Sequence, residues 1–271
     1  MSKLIISQLY IYPIKSLGGI ALKESNVEFR GLRYDRRWML VDADFRFISQ
    51  RENAALALLR ISMGNHEWIV HHLKNPDLRL SIPFIQQDEV NQLPRISVKV
   101  WDDLCEAIAY PSYVNQWFSR ILDQPCSLVY MPEDSLRQID LNYSREGDIN
   151  SFSDAYPVLL ISEESLDQLN EQMHLPIPMN RFRPNMVIRG GYAHQEDEIK
   201  AFTIHDVEFE GVKLCARCNV PGIDQETGVS SSEPTATLVK YRLRDKKVLF
   251  GQNVLVKSTG TIQLGDEIIL K

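Results

Sequence analysis

No run in this sequence approaches the ~20 consecutive apolar residues that a bilayer-spanning helix needs, so no membrane association is expected. The opening residues, Met1-Ser-Lys-Leu-Ile-Ile-Ser-Gln, lack a long apolar core followed by a small-residue cleavage site. No signal peptide is expected, and the cytoplasm is the expected location. Cysteine is scarce: Cys105, Cys126, Cys215 and Cys218 are the four in 271 residues. A large chain with few cysteines and no export signal should keep them reduced. Two of them form Cys215-Ala-Arg-Cys218, but no second Cys pair and no His pair follows at zinc-finger spacing, which argues against structural zinc. The six histidines show no metal-ligand spacing. Basic charge is not in excess either. The formal net charge is −6, so no nucleic-acid partner is expected from the overall balance, although a local basic patch stays open. Gly-x-Ser-x-Gly, a Walker loop and Gly-x-Gly-x-x-Gly are all missing. Their absence argues against a serine hydrolase, a P-loop NTPase and a nicotinamide-binding Rossmann domain.

What is present reads as a globular chain rich in short strands. Hydrophobic residues make up 44% and charged residues 24%. Leu4 to Tyr12, Val27 to Phe29, Trp38 to Val41, Trp68 to Val70, Leu78 to Ile82 and Ile96 to Val100 are apolar or alternating runs separated by turn residues, a pattern of meanders or barrels. Val114, Trp117, Phe118, Ile121 and Leu122 fall on one helical face, with Ser112 as the expected N-cap. Cys126 to Met131 then reads as a buried strand. Pro132 to Ser153 is polar and aperiodic and is expected to be a long mobile loop. Ser162 is placed to cap a short helix, with Leu166 and Leu169 inward. Strands return at Met186 to Arg189, Val207 to Leu214, Val254 to Lys257 and Ile268 to Leu270. The expectation is a mainly β fold of two closely packed barrel-like parts, residues 1–115 and 116–271, with a few helices.

Five segments carry chemistry. Cys215-Ala-Arg-Cys218 sets a thiol beside an arginine at a strand end, and Pro221-Gly222 then turn the chain, leaving Cys218 at the rim of a pocket. Adjacent cationic charge favours the thiolate, the reactive and metal-binding form. The spacing alone fits a dithiol redox pair, a soft metal ligand, or two small buried residues. In Asn180-Arg-Phe-Arg-Pro-Asn185, Pro184 is expected to hold Arg183 extended, so that Arg181 and Arg183 point the same way and Arg183 suits a phosphate or carboxylate. Tyr12-Pro-Ile-Lys-Ser16 puts Lys15 and Ser16 on a turn that suits an anion, or is an ordinary strand terminus. In Leu32-Arg-Tyr-Asp-Arg-Arg-Trp-Met-Leu40, Asp35 is placed to orient Arg36 or Arg37, and the other reading of Arg37 is a solvated side chain. In Phe152-Ser-Asp-Ala-Tyr-Pro157, Ser153 and Asp154 are acceptors for a polar heterocycle, or turn residues.

In this order, and together with Phe250-Gly-Gln-Asn253, these segments resemble the MOSC family with its N-terminal β-barrel module. The resemblance covers nearly the whole chain and is nearest to the bacterial and mitochondrial branch typified by the mitochondrial amidoxime-reducing component. It implies a molybdenum–molybdopterin cofactor with Cys218 as the metal ligand and catalytic centre. It further implies cofactor contacts from Lys15, Ser16, Arg36, Asp154, Arg183, Asn185 and Arg217. The implied activity is reduction of small N-hydroxylated or related N- or S-oxygenated compounds. No cluster-binding cysteines follow the last strand, so electrons are expected from a separate ferredoxin, flavodoxin or cytochrome-type donor. Ala216 departs from relatives that carry serine between the cysteines. The other reading is a persulfide carrier or cofactor-delivery protein, in which Cys218 holds sulfur or passes the cofactor on.

Overall fold

The computed structural model describes residues 3–271. A nine-stranded sheet forms the body of the molecule. Along its main path the strands run Ile20–Leu22, Ile5–Ile11, Met186–Arg189, Val158–Ser162, Lys247–Val256, Val207–Ala216, Ala201–Ile204 and Ile269–Leu270, and Leu243–Arg244 adds to Lys247–Val256. Val158–Ser162 and Met186–Arg189 pair in parallel, and the chain between them contains the helix Glu163–Glu171. As the sequence implies, the Ser162 side chain accepts from the Ser165 amide and caps that helix. The first strand lies against Met186–Arg189, and Glu24–Glu28 pairs with Gly260–Gln263. Residues far apart in sequence are therefore neighbours across two ladders.

The remaining N-terminal strands make smaller antiparallel sheets. One runs Trp38–Val41, Ser127–Tyr130, Asp103–Ala109, Arg95–Val100, and another Leu59–Met63, Glu67–His72, Asn75–Pro83. Trp38–Val41 is buried at every position, as a strand covered on both faces must be. The molecule is mainly β, with an N-terminal barrel module packed closely on the larger sheet. One apolar core joins them, containing Ile6, Trp68, Phe118, Phe202 and Phe209. At its centre the Trp38 and Trp68 rings meet edge to face at 5.4 Å, and the Trp38 indole N–H donates to the Tyr110 hydroxyl at 2.9 Å.

Three local expectations need correction. The helix Ser112–Leu122 buries Val114, Trp117, Phe118 and Leu122, but Pro111 takes the N-cap position and Ser112 is the first helical residue. Residues 132–153 are not a loose loop. They contain the ladder Arg137–Gln138 with Ile149–Asn150, and buried Arg137 pins them. Its guanidinium pairs with Asp103 at 2.8 Å and donates to the carbonyls of Ser151, Ser153 and Asp154 at 3.0, 2.5 and 3.0 Å. Composition shows that the segment is polar, but not that one of its cations is buried beneath it. Arg183, expected to be extended before Pro184, has φ +56. It follows Phe182, the C-cap of the short helix Met179–Arg181; its amide donates to the Asn180 carbonyl at 3.2 Å and its carbonyl accepts from distant Arg36 at 3.2 Å, and these contacts outweigh the pre-proline preference.

Candidate functional site

The five motifs converge on one cavity of about 330 Å³. The eight residues that the family resemblance implies all line it: Lys15, Ser16, Arg36, Asp154, Arg183, Asn185, Arg217 and Cys218.

Local backbone explains the convergence. The first strand ends at Ile11, and Pro13 and Ile14 lead into a turn in which Ser16 has φ +72. The Lys15 amide donates to the Trp38 carbonyl at 2.8 Å, which fixes the first motif against the second. Gly31 brings in the fifth. It has φ +110, and a Cβ there would stand 2.6 Å from the Pro157 carbonyl oxygen, so only glycine permits this approach. The Phe152 amide donates to the Arg36 carbonyl at 2.9 Å. On the opposite wall, Val207–Ala216 pairs with Lys247–Val256, and Arg217 extends the ladder by donating its amide to Val248 at 2.8 Å. The ladder is irregular between Gly211 and Lys213 and between Leu214 and Ala216, and the run from Lys213 to Cys218 lines the cavity without alternation.

The electrostatic design is lopsided. Lys15, Arg36, Arg51, Arg183, Lys213, Arg217 and Lys247 give seven cationic side chains in the lining, against the single carboxylate of Asp154. This is a basic pocket in a chain of net charge −6. Asp154 is clasped by Lys15 at 2.6 Å and by Arg51. Desolvation would raise the Asp154 carboxyl, but the two cations overcome it and hold the group far below the usual carboxylate range. Burial pulls the Lys15 ammonium down to about 8 against the attraction of Asp154, and Lys15 also donates to the Phe152 carbonyl at 2.7 Å. Arg51 stays above its ordinary value despite burial, because Asp154 and then Cys218 favour its charge.

Arg36 donates to Asp35 at 2.7 Å, to the Asn185 side-chain oxygen at 3.0 Å and to the Arg183 carbonyl at 3.2 Å. Asp35 is the orienting carboxylate for Arg36, as expected. Arg37 is not solvated: it is buried, bonded to Glu133 at 2.8 Å and to the Met131 carbonyl at 2.6 Å. Asn185 also accepts from the Leu159 amide at 3.2 Å and donates to the Tyr10 carbonyl at 3.2 Å, so its amide largely serves to join three segments. Ser153 is consumed in the same way, its single O–H lying between the Asn150 side-chain oxygen at 2.6 Å and the Tyr156 carbonyl at 2.7 Å.

Arg183 and Arg36 lie over the ring of Tyr12 at 4.2 and 4.3 Å. Burial lowers Arg183 to about 10, and it has no carboxylate within ion-pair distance among the described residues. One of its terminal nitrogens, the Nε of Arg217 and the Tyr12 hydroxyl are buried without a hydrogen-bond partner. Buried donors of this kind call for an acceptor, and two of the three residues, Arg183 and Arg217, line the cavity. Arg181, expected beside Arg183, instead turns away to the Pro221 carbonyl at 2.7 Å and to Asp224 at 3.4 Å.

Cys215 and Cys218 are both partly exposed on the cavity, whereas Cys105 and Cys126 are buried and burial raises both thiols. The Arg217 guanidinium donates to the Cys215 sulfur at 3.1 Å and to the Phe182 carbonyl at 2.9 Å. Gln50 pairs reciprocally with Gln225 at 3.2 and 3.0 Å, anchoring the loop after Cys218 to the N-terminal module.

Gln50, Arg51, Lys213 and Lys247 were not singled out from the sequence. Lys213 had no spacing signal of its own, because the strand is irregular beside it and its neighbours Leu214 and Cys215 line the cavity too. Arg51 had none, because it reaches Asp154 across 103 positions.

Comparison with known proteins agrees with this layout. Residues 3–125 match the MOSC N-terminal beta barrel domain and residues 148–269 the MOSC domain. The chain is 32% identical to mitochondrial amidoxime-reducing component 1 of Mus musculus, over 98% of this chain and 82% of that one. It is 31% identical to the Homo sapiens protein of the same name, with the same coverage. It is also 30% identical to molybdenum cofactor sulfurase of Oryza sativa subsp. japonica, over 93% of this chain but 32% of that one. With both modules present in order and their motifs gathered around one cavity, this chain belongs to the MOSC family, whose relatives tie it to molybdenum cofactor biology.

Proposed function

We propose that the chain is a molybdenum cofactor-dependent oxidoreductase that reduces N-hydroxylated or related N- or S-oxygenated compounds, with residues 1–115 and 116–271 as its two modules. The observation that carries this reading is the cavity itself: a partly exposed thiol, a surplus of cations and buried unpartnered N–H groups face one space. That donor set fits an anionic, sulfur-ligated group. Among the described residues no cluster of three or more His, Cys, Asp or Glu side chains is assembled for a metal. Cys218 would thus supply one soft donor and the pterin dithiolene the rest. Lys15, Arg36 and Arg183 would neutralise the phosphate, Arg217 would offer its free Nε–H, and Ser16 its hydroxyl. Asp154 would hold Lys15 and Arg51 in place, and Asn185 would hold Arg36.

When bound, the group supplies two-electron oxygen-removal chemistry at molybdenum. The protein's own part is positional. Arg51 keeps a positive charge beside Asp154 and Cys218 at the cavity wall. The partly exposed wall around Cys218 admits a small molecule, while the buried Arg36–Asp35–Asn185 network stays fixed. The donor would be a separate redox protein delivering electrons from solution. Among the described residues no helix is long and apolar enough to cross a membrane.

A second reading has its own support. Two thiols face the cavity, Arg217 contacts Cys215, and one relative is a cofactor sulfurase. Cys218 would then carry a persulfide or pass the cofactor onward.

Elemental analysis of wild type and Cys218→Ala, both co-expressed with a working cofactor pathway, tests the proposal. Molybdenum near one atom per chain in wild type, lost or labile in the variant, is the expected result. Metal-free wild type carrying a persulfide on Cys218 would move the assignment to the sulfur carrier. Equal metal in both proteins would remove Cys218 as the ligand.

A further inference from the structure

Two of the seven cations in the cavity wall have no work inside the protein. Lys15, Arg36, Arg51 and Arg217 are held by side chains or carbonyls, and Arg183 is buried against Tyr12. Lys213 and Lys247 form no ion pair and no side-chain hydrogen bond among the described residues. Lys213 has only an aromatic neighbour: its ammonium lies 3.8 Å from the centroid of the Tyr143 ring. Tyr143 in turn meets Tyr156 edge to face at 6.4 Å, and Tyr156 lines the same cavity. The Tyr143 amide donates to the Asp140 carbonyl at 2.9 Å, which sets the turn that carries the ring. The ring holds the lysine in position without neutralising it. Lys213 stands two residues from Cys215 on one strand, while Lys247 is exposed next to Val248, the residue that accepts the Arg217 amide. The positive charge thus extends outward from the thiols, away from the buried arginine end where the proposed phosphate would sit.

We propose that Lys213, supported by Lys247, is an anion-selecting subsite, and that this protein prefers oxygenated substrates with a carboxylate or phosphate on a planar scaffold. Tyr156 and Phe182, the aromatic residues of the lining, would meet the plane, and the lysine would accept the charge. This deepens the proposed function and rests on it for the reactive part of the substrate, but the subsite itself is testable by binding.

Titration calorimetry on cofactor-loaded protein compares benzamidoxime with 4-carboxybenzamidoxime. Wild type is expected to bind the carboxylate about fivefold more tightly, the scale of one partly exposed ion pair, with the preference shrinking as salt rises. Lys213→Gln should bring the ratio towards one, Lys213→Arg should keep it, and Lys247→Gln should reduce it less. 4-Phosphonobenzamidoxime distinguishes the two anions: tighter binding than the carboxylate would assign phosphate as the natural substituent, and weaker binding carboxylate. Equal affinity for neutral and anionic probes in wild type would overturn the subsite. So would a ratio untouched by the Lys213→Gln/Lys247→Gln double variant, or loss of molybdenum in Lys213→Gln, which would give the lysine to the cofactor. Turnover of neutral benzamidoxime with a chemical reductant is read separately. Its absence would defeat the reductase assignment and leave the binding result standing.

Discussion

The two walls of the cavity differ in how their charges are used. On the side built from the first two motifs and the Ser-Asp segment, each cation is tied down. Lys15 and Arg51 share Asp154, and Arg36 has Asp35 and Asn185. On the side built from Val207–Ala216 and the residues after it, two thiols and two unpaired lysines face the same space. A satisfied network is rigid and expensive to disturb, whereas unpaired groups are available for an incoming molecule. The first wall has the character of a socket, and the second has the character of a working face.

Substitutions that treat the walls unequally test this contrast. The largest expected effect is on the working face and divides its two thiols. Cys218→Ala should abolish metal retention, while Cys215→Ala should keep most of it, read as molybdenum per chain. If both lose metal equally, the thiols act as a pair. Next, Asp154→Asn leaves Lys15 buried without its carboxylate. Breaking a buried pair costs about 3–5 kcal/mol, but solvent reaches Asp154 across the cavity, so about 1–3 kcal/mol is expected by urea unfolding. A matched change on the other wall, Lys247→Gln, should stay within about 0.5 kcal/mol.

A pH series gives a smaller effect with opposite signs in two measurements. Lys15 ordinarily titrates at 10.5 and is lowered to about 8 by burial. Between those values the unfolded chain binds more protons, so this group makes the cofactor-free protein more stable as pH climbs from 8 to 10.5. Below 8 its buried charge is a standing cost. Cofactor uptake should run the other way, falling as the ammonium is lost through pH 8. Urea midpoints and in vitro loading across pH 7 to 10 would show both trends, and Lys15→Met should flatten them. The smallest effect belongs to Tyr12→Phe. It removes a buried hydroxyl that has no partner, so the cofactor-free protein should unfold within about 1 kcal/mol of wild type, or slightly later. A marked loss would mean that the hydroxyl holds the wall together.

Much of the socket was legible in the sequence, because its motifs are short, ordered and resemble a known family. Lys15, Arg36, Asp154 and Arg183 reach the cavity the reading gave them. The working face was half legible: the Cys-x-Arg-Cys segment stood out, but Lys213 looked like one more lysine in a strand. Arg51 was invisible, since no local spacing reports a contact with Asp154. Arg183 and the segment 132–153 were misjudged for a shared reason. Local preference and local polarity describe a chain on its own, and here distant contacts decide, through Arg36 and Tyr12 against Arg183 in one case and buried Arg137 in the other. Val158–Ser162, which lies in the middle of the main sheet, gave no separate strand signal because it follows directly on the motif ending at Pro157.

The seam in which Ile5–Ile11 lies beside Met186–Arg189, with Lys15 facing Cys218 across the cavity, has a consequence for biosynthesis. The ribosome makes the two halves of the socket about 10–40 s apart, given synthesis at about 5–20 residues per second. Until the distal half emerges, the first strand has no neighbour on one side, and its buried lysine belongs to no pocket. A nascent chain therefore has nothing with which to grip an anionic cofactor. Under the proposed function, loading would follow synthesis of the distal half, and until then Cys218 would be an open thiol exposed to whatever oxidant or stray metal reaches it first.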